Sequence, residues 1–332
     1  MVKTPLEMRA LAQDLTVSVW TLSAIGTLFE SGLVEHLRES MSLDDLAVRC
    51  PALSKTLIKR CLAVAAAAGV VAAGNGHYQL AQGAMPFSQQ PFRMTLQGEI
   101  RSSLMQPLVF LNASAGRVSG SGWSHADSVL LQAQGDASAM FPPMFKANIV
   151  PSLGDLAARL DGPGARFLDV GVGVASLAIA MCRTWPGLRV VGLDTFEATL
   201  AIALENVTRT NLQDRIELLK IAVEDFRDEE KYDLAWLPSF FIAAPDLPAA
   251  IGRVRTSLRP GGWLLFPIGD YIGDELSRSV FALINECWGG PALSFSEAES
   301  LLKEAGFEAI RALPAPPAWP PLFVAQRAME SR

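Results

Sequence analysis

Cysteine is scarce and scattered in this chain. Cys50, Cys61, Cys182 and Cys287 form no C-x-x-C pair and sit in apolar helical contexts, so they read as buried reduced thiols and no metal site is expected. Histidine is scarcer, with only His36, His77 and His125. Basic charge is also short: 28 Lys and Arg against 34 Asp and Glu leave a formal charge of -6, which argues against a nucleic-acid backbone as partner. The longest apolar run, Cys61 to Ala73, is too short and too rich in Ala and Gly to span a bilayer. The first residues, MVKTPLEMRA, lack the basic-then-apolar layout of a signal peptide. These absences point to a cytoplasmic protein whose partner is a small molecule, with no nucleic acid and no membrane.

What the chain does have is apolar content: half of its 332 residues are hydrophobic, enough for two domains. Leu11, Leu15, Val19, Leu22, Ile25 and Phe29 recur at helical spacing and predict an amphipathic helix over about 6–30, which needs a partner surface. Ser42 and Asp45 resemble a capping box opening a short helix through Val48. Ser54 can cap a second, with Leu57, Ile58, Cys61, Leu62 and Ala65 on one face. Val70 and Val71, the turn Gly74-Asn75-Gly76, and His77 to Leu80 predict a hairpin. Helix, helix, hairpin is a winged-helix pattern. The second helix offers Lys55, Lys59 and Arg60 but is otherwise apolar, and the hairpin tip carries no basic residue, so dimerisation fits this domain better than DNA binding. The expected division is a dimerisation domain over 1–100 and a catalytic domain over 101–332. A helix from about Met94 to Ala113 and the glycine-rich Gly116 to Trp123 would make the linker and hinge, about 101–125.

A second half of different grammar follows. Ala139 to Phe145 clusters Met and Phe around two prolines, read either as core or as the lining of an apolar pocket, and a helix is expected over about Val150 to Leu160. FLDVGVGVAS, Phe167 to Ser176, then reads as strand, tight glycine turn and helix, an arrangement that sets backbone N–H groups and a helix N-terminus beside a ligand. Further strands are expected over Arg189 to Leu193, Ile216 to Ile221, Tyr232 to Leu237 and Trp263 to Pro267, with two closing strands near Phe307 to Arg311 and Leu322 to Gln326. Strands alternating with helical patterns predict an α/β fold, a Rossmann-like doubly wound sheet with seven strands. Asp169, Gly171, Gly173 and Asp194 should then converge at the carboxyl ends of the strands, where Asp194 can take both hydroxyls of a ribose. The third small position expected of a dinucleotide motif is filled by Ser176, and no second half is evident to hold a nicotinamide.

LDVGVGVAS, Asp194 and LRPGGWLL (Leu258 to Leu265) resemble the class I S-adenosylmethionine-dependent methyltransferases. With the winged-helix N-terminal domain, the chain is similar to the small-molecule O-methyltransferase group of secondary metabolism, over nearly its whole length. The resemblance implies S-adenosylmethionine as cofactor and a homodimer through the N-terminal domain. It places the methionine part on Asp169 and the Gly171–Gly173 backbone and the ribose on Asp194, with Thr195 beside it. Adenine falls to Ala222, Val223 and Glu224, and Phe145 and Leu237 complete the contacts. Three departures follow. The third small position of the methyltransferase glycine motif is Ala175; the adenine loop has Ile221-Ala222 where the group has Gly-Asp; and the His-Asp pair past the fourth strand is replaced by Ile242 and Ala243.

Methyl transfer from a sulfonium is an in-line displacement in which the protein aligns the acceptor and excludes water. A phenol gains from a histidine base, whereas a heterocyclic nitrogen or a preactivated oxygen or carbon can attack unaided. The expected function is therefore methyl transfer to a small, flat acceptor without the usual base, lined by Met144, Trp236, Phe240, Phe241 and Ile242. Substitute bases are sought in His125, Asp246 and Asp270. The alternative is a protein of the same fold that binds S-adenosylmethionine and no longer transfers methyl.

Overall fold

The computed structural model describes residues 3–114, 123, 125–271, 273–314 and 320–329, without the side chains of 113 and 114. The expected hinge at 116–123 therefore lies outside the described residues except for Trp123. Two compact units are present: one runs to Leu108 and includes Asp136–Met140, and the other comprises Val109–Gly135 and the chain from Phe141 onward.

In the first unit, a Thr4–Glu7 capping box and Pro5 in the first turn start α1, Pro5–Glu30. Only its C-terminal end is buried, at Leu28 and Phe29, where Gly26 lets α1 approach the segment carrying Ile100 so closely that a Cβ would lie 2.8 Å from Ile100 Cγ2. The expected apolar stripe continues upstream but is exposed there, with Leu15 at 55 %, Val19 at 53 % and Trp20 beside them at 71 %. Next come α2 (Leu33–His36), β1 (Met41–Ser42), α3 (Leu43–Arg49) and α4 (Lys55–Ala67). Ser42 Oγ accepts the Asp45 N–H at 3.1 Å and Ser54 Oγ that of Leu57 at 3.2 Å, so both expected caps form. Ile58, Cys61, Leu62 and Ala65 face the core, whereas Leu57 is exposed. β2 (Val71–Gly74) and β3 (His77–Leu80) make the hairpin through Asn75 and Gly76, both at positive φ, and β1 joins to give the order β1-β3-β2. α5, Phe92–Ser114, leads out of this unit.

The second unit contains α6 (Ser128–Asp136, its last residue grouped with the first unit), α7 (Phe141–Asn148), α8 (Leu156–Asp161), β4 (Arg166–Val170), α9 (Ser176–Thr184), β5 (Arg189–Asp194), α10 (Glu197–Arg209) and β6 (Ile216–Lys220). These are followed by β7 (Tyr232–Trp236), α11 (Leu247–Ser257), β8 (Leu258–Pro267), α12 (Glu275–Trp288), α13 (Phe295–Glu304), β9 (Phe307–Leu313) and β10 (Leu322–Arg327). The sheet has seven strands in the order β6-β5-β4-β7-β8-β10-β9, parallel through β8 and closed by antiparallel β10. The strand order reverses between β4 and β7, which makes their carboxyl ends the natural ligand position. Because side chains alternate along a strand, Phe167, Val190, Leu234 and Leu265 pack one face with Met181 and Trp185. Leu168, Val191, Ala235 and Leu264 pack the other with Ile251 and Leu302.

The expected fold class is thus observed, with local corrections. The helix expected over 150–160 is interrupted at Gly154 (φ 58), leaving a single 3₁₀ turn, Val150–Ser152, ahead of α8. β8 begins five residues early, at Leu258, because Arg259-Pro260-Gly261-Gly262 is a strand irregularity rather than a turn before the strand; Gly261 has φ 74, and the pairing with β7 shifts between Tyr232 and Leu234. In this unit the helices α6, α7 and α12 have no counterpart among the expected elements.

Candidate functional site

The turn after β4 is shaped by three alternating residues in the left-handed region: Gly171 (φ 72), Gly173 (φ 54) and Ala175 (φ 64). Glycine adopts that conformation freely, whereas alanine does so at an energetic cost. The turn is tied to the end of β5. Gly171 and Val172 N–H groups both donate to Leu193 O at 2.9 Å, and Gly173 N–H donates to Asp194 Oδ2 at 2.9 Å. Gly192 on β5 has no side chain for good reason: a Cβ there would lie 2.6 Å from Val172 Cγ2. The other Asp194 oxygen accepts the Phe196 N–H at 2.9 Å, and the Asp194 carbonyl accepts Ile221 N–H at 3.0 Å, joining the loop after β6 to the same place.

Asp169 projects from β4 into this junction. It is 1 % exposed, and its Oδ2 has no hydrogen-bond partner among the described residues. Burial, reinforced by the charge of Asp194, pushes its carboxyl up to about 8. Asp194 is also raised by burial, although N–H donors from Phe196, Gly173 and Thr195 pull the other way. A buried carboxylate oxygen without a donor is a site for a cation or N–H donor carried by a ligand. Beside it, the glycine turn and the start of α9 present backbone N–H groups suited to an anionic group. An amino acid's paired ammonium and carboxylate match that donor set, and the second acid, Asp194, remains half-exposed for hydroxyls.

Hydrogen bonds and charge bring Asp169, Gly171 and Gly173 to the Asp194 end of β5, the Ile221 N–H ties the loop carrying Ala222 to the Asp194 carbonyl, and Thr195 is exposed. Val223 and Glu224 form the 3₁₀ turn that follows Ala222; Val223 is 4 % exposed, so only its backbone faces a ligand, while Glu224 is half-buried. Phe145 and Leu237, the other two expected contacts, are fully buried. Phe145 stacks on Phe141 at 5.4 Å and meets Trp185 edge-on, while Leu237 lies in the core on the other face.

On the acceptor side, Met144, Trp236, Phe241 and Ile242 are half-buried and Phe240 is buried. Trp236 lies 5.0 Å from Phe141 by ring centroid. Phe240, Phe241 and Trp288 form a mutual triangle with centroids 5.0 to 5.2 Å apart, too close for a ligand between them. Part of the expected lining is therefore a packed anchor for the loop after β7, and Trp288 was missed because α12 was. Gly290 seals that anchor, its N–H donating to Phe240 O at 3.1 Å where a Cβ would meet the Ser239 and Phe240 backbone. Ile242 packs against the core and Ala243 is exposed.

The candidate bases have different surroundings. His125 is half-buried and edge-on to Trp123 at 4.6 Å, which in turn meets Phe241 at 5.3 Å; burial lowers its pKa and favours neutral imidazole. Asp270 accepts the N–H of Tyr271 at 2.7 Å. Asp246 is exposed at the start of α11, where its side chain forms no capping hydrogen bond. Among the described residues no group of three or more His, Cys, Asp or Glu side chains could hold a metal ion.

Residues 167–262 match the model of the methyltransferase domain family. A trans-aconitate 2-methyltransferase of Variovorax paradoxus (strain S110) is 30 % identical over 154 residues, 46 % of this chain and 58 % of the relative. A release factor glutamine methyltransferase of Gloeobacter violaceus is 39 % identical over 57 residues, 17 % of this chain and 20 % of the relative. The chain thus spans little more than half the length of the first relative and far less of the second. The fold is shared end to end with solved structures: a putative O-methyltransferase of Nostoc punctiforme (18 % identity, TM-score 0.67, covering 98 % of this chain and 100 % of that one) and human N-acetylserotonin methyltransferase in complex with S-adenosylmethionine (15 %, 0.63, 99 % and 100 %).

Proposed function

We propose that this chain is an S-adenosylmethionine-dependent methyltransferase acting on a small, flat acceptor, a nitrogen heterocycle or a preactivated oxygen or carbon, without an imidazole base at positions 242 and 243. The observation that carries the cofactor assignment is the buried, unpartnered Asp169 oxygen beside Asp194 and the left-handed turn. The cofactor's methionine ammonium would sit on Asp169 and its carboxylate on the turn, with the ribose hydroxyls on Asp194 and adenine along the Ala222–Glu224 backbone. The bound sulfonium supplies an electrophilic methyl group with a neutral thioether as leaving group. This chain's own contribution is alignment and exclusion of water, through the half-buried faces of Trp236 and Phe241. Neither Ile242 nor Ala243 can take a proton, so the acceptor must attack without one being removed there.

A second reading rests on the same two residues: the fold binds S-adenosylmethionine but no longer transfers methyl. The cofactor test is thermal stability with S-adenosylmethionine, S-adenosylhomocysteine and NADH in parallel on protein freed of copurified ligand. A ligand at a hundred times its Kd adds about 2.7 kcal/mol. A shift with the two sulfur ligands and none with NADH is expected; no shift with either sulfur ligand would overturn the assignment. Transfer from labelled donor to a panel of heterocycles and phenols separates the two readings, and uniform failure with a cofactor-loaded protein favours the second.

The homodimer and the cytoplasmic setting belong to the same proposal. Exposed Leu15, Val19 and Trp20 along α1 offer an apolar face that a second copy would cover, and sedimentation at dilute concentration tests it. No helix among the described residues is long and apolar enough to cross a membrane.

A further inference from the structure

Asn206 on α10 is 5 % exposed, and its amide is engaged on every side. Nδ2 donates to the Val174 carbonyl and to Gln132 Oε1, each at 2.9 Å, and Oδ1 accepts from Arg209 Nη2 at 2.5 Å. Val174 immediately precedes Ala175, the one non-glycine residue of the turn in the left-handed region. The two residues share a peptide plane, so holding the Val174 carbonyl also fixes the plane about which Ala175 must adopt its unfavourable φ. Such a conformation persists only where its surroundings over-determine it. Here the Ala175 N–H donates to Val172 O at 2.9 Å while the Val174 carbonyl is taken by Asn206, so both polar edges of that plane are fixed. α6 approaches the turn closely here, since a Cβ at Gly135 would lie 2.3 Å from Val174 Cγ2.

We propose that Asn206 is a positioning residue for the cofactor cradle: its amide locks the Val174–Ala175 peptide and thereby holds the turn in the shape that presents its N–H groups to the ligand. This role rests on the reading of the turn as an S-adenosylmethionine site. It differs from ordinary packing of α10 against α6, which would affect stability without reaching the ligand.

The test compares Asn206→Ala with Leu302→Ala, a cavity variant in the core on the other face of the sheet. Two quantities are read: amide hydrogen exchange of residues 171–177 in ligand-free protein, and the Kd for S-adenosylmethionine by calorimetry well below the melting temperature. Asn206→Ala should speed exchange in the turn selectively and raise the Kd about tenfold, the scale of one hydrogen bond. Leu302→Ala should change exchange only through global stability and leave the Kd unaltered. Indistinguishable exchange patterns and Kd values for the two variants would overturn the role of Asn206 alone. Failure of the unsubstituted protein to bind S-adenosylmethionine would overturn the cofactor reading and this role with it.

Discussion

Asp169 and Asp194 stand near the ends of adjacent parallel strands, and the buried Asp169 carboxyl, raised further by the Asp194 charge, titrates at about 8. Its value in an unfolded chain is about 3.9. Below that pH both states hold the proton. Above it the unfolded state ionises first, while the folded state keeps its proton until about 8, so the stability contributed by the neutral carboxyl is lost as pH rises through this window. The urea midpoint of ligand-free protein is expected to fall between pH 5 and 8, by an amount equivalent to a few kcal/mol. Asp169→Asn should flatten most of that slope. Some slope should remain, because burial raises Asp194 in the same direction. An undiminished slope in Asp169→Asn would show that the Asp169 titration is misassigned.

The same group makes ligand binding proton-linked. An ammonium placed on Asp169 favours the carboxylate, so at pH 7 binding S-adenosylmethionine should release a fraction of a proton, and affinity should rise with pH toward about 8. Calorimetry in phosphate and in Tris, whose ionisation heats differ widely, reads that release directly. In Asp169→Asn the apparent binding heats should agree between the two buffers once corrected for the remaining Asp194 contribution.

The junction of β4 with β5 is legible in the sequence. Asp169, the two glycines and Asp194 follow from a strand, a turn and an acid closing the next strand, because local sequence dictates each of those features. What was not legible depends on tertiary packing. Phe145 and Leu237 sit where a ligand contact is expected, but their side chains turn into the core, and nothing in their spacing says which way they face. α12 has a strong apolar pattern at Leu276, Val280 and Leu283, yet those residues are exposed, and the part that matters to the site is Trp288 at its end, reached only through its contact with Phe240 and Phe241. The conformation of Ala175 is not legible either: the sequence marks it as the third small position of the glycine motif, and nothing in that spacing shows its positive φ.

That φ supports a contrast between two substitutions. Ala175 is fully buried and left-handed, a conformation that costs an L-residue about 1–2 kcal/mol. Ala175→Gly removes the strain but also a buried methyl worth about 0.8 kcal/mol, so its urea midpoint should stay close to that of the parent. Ala175→Val adds β-branching at positive φ and bulk in a filled space, and a loss of about 2–4 kcal/mol is expected. Equal tolerance of both substitutions would mean that the turn is not left-handed at this position.

The close approach of Val172 to Gly192 makes the last prediction. A Cβ at position 192 would lie 2.6 Å from Val172 Cγ2 and 2.9 Å from its Cβ, separations that real side chains do not keep. Gly192→Ala must therefore push the glycine turn away from β5, and overpacking of this kind costs about 1–3 kcal/mol. The turn's hydrogen bonds to Leu193 and Asp194 would lengthen with it, so the thermal shift given by S-adenosylmethionine should shrink too. Val172→Ala alone leaves a small cavity and a milder loss. In the double variant the contacts with the two valine Cγ atoms are relieved while the 2.9 Å approach to the Cβ remains, so stability and ligand response should recover part of the way toward the parent, giving a coupling of about 0.5 kcal/mol or more in a double-mutant cycle. Simple additivity of the two losses would place Val172 elsewhere and remove the physical reason for glycine at position 192.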